Sequence, residues 1–120
     1  CYPQISAKES TTAGLAQVGP ILDALQTDPT RNWCLDQLAT LGAMSTSKLL
    51  VAFRDATGMT PIDYVIRLRI RDAMFDLRNT HDSVTEIAYR VGFSDSNYFA
   101  RQFRKVVSMS PTEYRRAGHA

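Results

Sequence analysis

Cysteine and histidine are scarce in this sequence, and that scarcity closes off two kinds of protein. Two cysteines, Cys1 and Cys34, are too few for a small scaffold held by disulfides, so a reduced, cytoplasmic chain is expected. With His81 and His119 they show no close C-x-x-C or H-x-x-x-H spacing, so no metal site and no other cofactor is expected. Cys34 reads as a small buried side chain and Cys1 as part of a tail. No apolar run approaches the roughly 20 residues of a membrane-spanning helix, and no strand-like alternation persists. No serine or cysteine sits in a recognisable setting with a base and an orienting partner, so no catalytic residue is assigned and an enzyme is not expected. The chain opens at Cys1 without a basic stretch leading into an apolar one, so no secretory signal is visible, and it reads as a piece of something longer.

What is present is a repetition. GMTPIDY at residues 58–64 and SMSPTEY at 108–114 say nearly the same thing twice in a chain of 120 residues. The charge is uneven as well. Residues 1–30 hold one basic and three acidic side chains, whereas 84–120 hold six basic and three acidic. A basic C-terminal part is compatible with a nucleic-acid partner and equally with a solvated face.

Residues 1–18, rich in Ser, Thr, Ala and Gly, read as a linker from a missing N-terminal domain. From Pro20 onward the pattern is helical, and the fold class expected is all-α with about seven helices. Pro20 is placed at a first helical position, with Ile21, Leu22 and Leu25 behind it and Pro29 ending the helix. A short helix follows at 35–41. Ser45 then caps one with Leu49, Phe53 and Ala56 on a face until Gly58 stops it. Thr60 and Pro61 restart the chain, with Asp63 placed as a capping-box acid. The long helix that follows carries a stripe of Ile62, Ile66, Ile70, Ala73, Met74 and Leu77, and residues 62–78 would span about 25 Å. Ser83 and Glu86 form a capping box before Val84, Ile87, Ala88 and Val91, and Gly92 ends that helix. The segment 94–97 opens a helix with Phe99, Phe103 and Val106 inward, and Ser110 to Glu113 opens the last.

The halves align. Leu38-Ala39 matches Ile87-Ala88, Ser45 matches Ser94, Leu49 matches Phe99, Phe53-Arg54 matches Phe103-Arg104, and Thr60-Pro61 matches Ser110-Pro111. The offset is 49 before the turn and 50 after it, which places one inserted residue near the start of the second unit's outer helix. The repeated tail is thus the exit from a duplicated helix-turn-helix. The expected division is 19–59 as a first unit, 60–80 as a linker helix and 81–118 as a second unit.

IAYRVGFSDSNYFARQFRKVVSMSPTEYR strongly resembles the C-terminal signature of the AraC/XylS family of bacterial transcription regulators, and RIRDAMFDLRNTHDSVTEIA resembles the segment before it; coverage is about residues 20–118. The resemblance implies two homeodomain-like helix-turn-helix subdomains joined by a long linker helix, offering recognition helices to successive major-groove segments. Those segments lie roughly 34 Å apart, within reach of a linker of this length. It also implies a double-stranded promoter DNA partner, recruitment of RNA polymerase, and an activator more than a repressor. Dimerisation, if any, would belong to the missing N-terminal domain.

In the second unit the inward phenylalanines leave Ser96, Asn97, Ala100, Arg101 and Arg104 facing out. Asn97 can pair with adenine and Arg101 with guanine. The resemblance puts Ser96, Asn97 and Arg101 at base-reading positions. Arg101 pairing instead with a phosphate or an acid stays open. In the first unit the outward positions are Thr46, Ser47, Leu50, Val51 and Arg54, with Val51 where the family commonly has arginine. Leu50 and Val51 suit thymine methyls or another protein surface, and these readings stay level. Arg54, Arg104 and Lys105 are the phosphate candidates. Arg67, Arg69 and Arg71 are expected to pair with acids and adjacent helices, and Trp33, Tyr64 and Tyr114 to pack. Ser108 departs from the glycine at the equivalent position and leaves that turn in question. The rival reading is a helical interaction module on this fold without sequence-specific DNA binding.

Overall fold

The computed structural model describes residues 18–118. Among them are seven helices and no strand. Helix α1 covers residues 18–27, followed by α2 (Leu35–Leu41), α3 (Thr46–Thr57), α4 (Pro61–Asn79), α5 (Val84–Arg90), α6 (Ser96–Val107) and α7 (Pro111–Gly118). No described helix is long and apolar enough to cross a membrane. The chain forms two compact units, the first from residues up to Asp28 and from Asn32 to Tyr64, the second from Pro29–Arg31 and from Val65 onward.

In the first unit Val18, Ile21 and Leu25 are fully buried at i, i+3 and i+7, so α1 is already helical two residues before Pro20, and Pro20 is not its first residue. Val18 therefore belongs to the fold and not to a linker; the rest of that segment, 1–17, lies outside the described residues, as does Cys1. Leu38, Leu49 and Phe53 join this core with no exposed surface, and Ala52 is buried where Ala56 had been expected. Cys34, expected inside, is exposed. It is the extended residue that precedes α2, so its side chain stands at the helix end facing water while its N–H donates to Gln37 Oε1 at 3.3 Å.

In the second unit one apolar cluster joins Ile66, Ile70, Ala73 and Leu77 of α4 to Ile87, Ala88, Val91, Phe93, Phe99, Phe103 and Tyr114. Each side chain of this size contributes about 1.5 to 3 kcal/mol when fully buried. Ile62, placed on the same stripe by its spacing, is exposed. It lies in the first turn of α4, where a Cβ tilted toward the helix start points past the packed face. Val65 and Leu68, off the stripe, are buried.

The turns repeat closely. Met44 N–H donates to Ala39 O at 3.0 Å and Phe93 N–H to Ala88 O at 2.9 Å, while Ala43 (φ 54°) and Gly92 (φ 113°) both take a left-handed backbone. After this point the caps differ in number. Ser45 caps α3, but α6 is capped by Asp95, whose carboxylate accepts from Asn97 N–H at 2.8 Å. Ser94 is therefore not the counterpart of Ser45. It is the inserted residue itself, lying in the turn and not within the helix that follows.

Past the caps the offset is 50 throughout. Gly58 (φ 81°) and Ser108 (φ 71°) close α3 and α6 in the same left-handed conformation, so serine holds the turn that its sequence had left in question. A full capping box follows at α7, with Ser110 N–H donating to Glu113 Oε1 at 2.8 Å and Glu113 N–H to Ser110 Oγ at 3.1 Å. At α4 Asp63 N–H donates to Thr60 Oγ1 at 3.2 Å.

Candidate nucleic-acid interface

The rotation of α6 about its axis is fixed by Phe99 and Phe103, both without exposed surface. Their rings lie 5.7 Å apart, and Phe103 meets Tyr114 edge-on at 5.6 Å. With that face committed, Asn97, Arg101, Arg104 and Lys105 stand in solvent, and Ser96 and Ala100 are half-buried beside them. Residues 97, 101 and 104–105 recur at helical spacing and form one stripe. The helix carries three basic and no acidic side chains, so the stripe is positive as well as polar.

Among the described residues Arg101 has no acidic partner within salt-bridge distance. Its guanidinium carbon lies 5.9 Å from the centre of the Tyr98 ring, and that ring in turn lies 6.0 Å from Phe93. Arg104 does have an acidic partner, Glu113 Oε1 at 3.2 Å. The Glu113 carboxyl is held below the usual carboxylate range first by the Ser110 backbone N–H, then by the Ser110 hydroxyl, with Arg104 adding to both. A guanidinium in such an exposed pair keeps donors for a second anion, because one carboxylate oxygen does not use its whole fork.

The first unit presents the same positions with different chemistry. Ser45 Oγ accepts from Lys48 N–H at 3.2 Å, and buried Leu49 and Phe53 set the rotation of α3. Ser47, Leu50, Val51 and Arg54 are exposed and Thr46 is half-buried. Counting from the caps, Thr46 is the equivalent of Ser96, Ser47 of Asn97, Leu50 of Ala100, Val51 of Arg101 and Arg54 of Arg104. The stripe of α6 offers an amide and a guanidinium, groups that pair bidentately with adenine and guanine edges. That of α3 offers two hydroxyls and two aliphatic side chains.

Several other aromatic and basic side chains take structural positions. Tyr64 meets Phe53 edge-on at 5.5 Å and its hydroxyl accepts from Gln26 Nε2 at 2.7 Å, and Trp33 Nε1 donates to Asp28 O at 2.8 Å. Arg71 pairs with Asp72 at 3.3 Å on the surface. Arg69 departs from the expected pairing with an acid. Its Nε donates to Pro29 O at 2.7 Å and its Nη2 to Arg31 O at 2.9 Å, and the guanidinium covers Phe93 at 5.7 Å. Burial pushes its pKa down, because leaving water penalises the charged form. Arg90, by contrast, bridges Asp82 and Asp76; the hydrogen bond to Asp82 leads in holding its proton more firmly than usual.

One contributor to the site escaped the sequence reading: Tyr98, the platform beneath Arg101. The i, i+3 spacing of an aromatic and an arginine was a usable signal for it.

Residues 38–117 match the family model described as a helix-turn-helix domain. A Streptomyces lividans protein described as an AraC-like transcription regulator is 35% identical over 106 residues, which cover 87% of this chain and 35% of that protein. The HTH-type transcriptional activator RhaS of Klebsiella pneumoniae is 33% identical over 115 residues, covering 96% of this chain and 41% of RhaS. The chain thus spans well under half the length of these relatives. Among solved structures, the DNA-binding domain of AdpA, crystallised in complex with a target DNA, is 29% identical with a TM-score of 0.74, covering 84% of this chain and 90% of that one.

Proposed function

This chain belongs to the family of AraC-type helix-turn-helix domains, and we propose from that premise that it binds double-stranded promoter DNA sequence-specifically, through α3 and α6 in successive major-groove segments. The observation that carries the reading is the pair of capped helices presenting one register of exposed side chains, with a positive stripe on α6. In this reading Asn97 and Arg101, flanked by Ser96 and Ala100, read bases for the second unit, and Thr46, Ser47, Leu50 and Val51 face bases for the first. Arg54, Arg104 and Lys105 grip phosphates. A protein with this role works in the cytoplasm, and the activator name of RhaS favours a role in recruiting RNA polymerase. Dimerisation is assigned to parts of the protein outside this chain.

The test is selection of bound duplexes from a random DNA pool by the purified chain at moderate salt, repeated with the Asn97→Ala/Arg101→Ala variant. Enrichment of short elements by the original chain, with one element relaxed in the folded variant, supports the reading. Unchanged enrichment by a folded variant removes Asn97 and Arg101 from base reading. The exposed Leu50 and Val51 favour one alternative, a protein-interaction module on this fold; failure of the folded chain to enrich any duplex would point to that module or to a requirement for parts of the protein outside this chain.

A further inference from the structure

We propose that the first unit reads its half of the DNA site by apolar contact with thymine 5-methyl groups through Leu50 and Val51, whereas the second unit reads by hydrogen bonds. The inference rests on the proposed DNA binding and specifies its chemistry. Its first support is the register. With Ser45 and Asp95 identified as the caps, Val51 and Arg101 are each the sixth residue past a cap, and Leu50 and Ala100 each the fifth. The apolar pair therefore occupies the positions that face bases in α6, not a flank of the helix.

Exposure and surroundings agree. Val51 is 63% and Leu50 39% exposed, so both present apolar surface to the solvent. On the same helix the exposed cations Lys48 and Arg54 outnumber the one exposed acid, Asp55, a balance that suits a polyanion around the apolar pair better than an apolar protein surface. Thr46 and Ser47 hydroxyls, the other outward groups, hydrogen-bond to several base edges and discriminate little among them. In the major groove the apolar feature of a base pair is the thymine methyl, so that is what Leu50 and Val51 can distinguish.

The test starts from a duplex selected by this chain from a random pool. The half-site whose base preference Arg101→Ala relaxes is assigned to the second unit and the other to the first. Deoxyuridine then replaces thymidine in one half-site at a time, which removes only the methyl groups. Replacement in the first unit's half-site is expected to weaken binding about fourfold for each contacted methyl, and replacement in the other half to change it little. The folded Leu50→Ala/Val51→Ala variant, altered only at exposed positions, is expected to bind the thymine and uracil duplexes nearly alike.

Equal binding of both duplexes by the unaltered chain would overturn the proposal while leaving DNA recognition intact. A uracil penalty that persists in the double variant would also overturn it, since the methyls would then act through DNA shape. A folded chain that selects no duplex overturns this proposal together with the DNA-binding reading beneath it.

Discussion

The guanidinium of Arg101 lies over the ring of Tyr98, three residues earlier on α6, at 5.9 Å from the ring centre. In the first unit the same two positions hold Lys48 and Val51, so this stacked pair belongs to the second unit alone. In the proposed DNA reading a stacked guanidinium has less rotamer freedom to lose when it meets a base, which makes Tyr98 a positioning residue for Arg101. Tyr98→Leu should weaken binding to a selected duplex about two- to fivefold, while Tyr98→Phe should retain it. The decisive measurement is a double-mutant cycle with Arg101→Ala: strict additivity of the two effects would show that Tyr98 does not act through Arg101.

Gly92 and Ala43 occupy the same place in the two turns but under different constraints. A Cβ on Gly92 would lie 2.8 Å from Arg69 Nε and 2.9 Å from the Thr30 Cα, and the backbone there has φ 113°. Gly92→Ala combines a strained backbone with a clash and should destabilise the protein by about 2 to 4 kcal/mol. Ala43 already carries a Cβ at φ 54°, so Ala43→Gly should instead stabilise, by about 0.5 to 1 kcal/mol. Urea unfolding of the two variants, read for opposite shifts of the midpoint, checks the pair.

Ser108 holds at φ 71° the left-handed position that Gly58 holds at φ 81°. Only the serine meets the Cβ penalty of that region. Ser108→Gly is expected to raise stability by about 0.5 to 1 kcal/mol, part of the relief being offset by the added freedom of glycine in the unfolded chain. Thermal unfolding would register it, and a lowered midpoint would mean that the Ser108 side chain contributes something beyond its backbone.

Glu113 has a carboxyl pKa lowered foremost by the Ser110 backbone N–H. A folded value below the unfolded one means that the native state binds fewer protons. The resulting stability is fully present above the ordinary carboxylate range and is lost as the pH falls through the lowered value. Glu113→Gln should therefore unfold more easily than the unaltered chain near neutral pH, and the difference should shrink as the pH is lowered into the acid range. Urea midpoints followed from about pH 7 to about pH 3 test the convergence.

Much of this protein was written locally. The capping box from Ser83 to Glu86, Pro61 and Pro111 at helix starts, and Gly58 at a helix end are short-range instructions, since each concerns backbone groups within one turn. The paired phenylalanines of α6 were legible for a related reason: 3.6-residue periodicity reports which face a helix buries, and the opposite face, with Asn97 and Arg101, follows from it. The sequence by itself determined the helical order, the duplication and which residues of α3 and α6 face away from the buried phenylalanines.

Tertiary structure decided what local rules leave degenerate. Ser94 and Asp95 are both competent caps, and only the turn beginning at Gly92 and Phe93 selects Asp95, which sets the register equating Val51 with Arg101. Ile62 and Val65 are both apolar residues near one helix start, but which of them is covered depends on what packs there. Arg69 looks like any surface arginine until distant Pro29 and Arg31 carbonyls are brought to it. Burial and long-range hydrogen bonds depend on neighbours remote in sequence, and no spacing along a single helix encodes them.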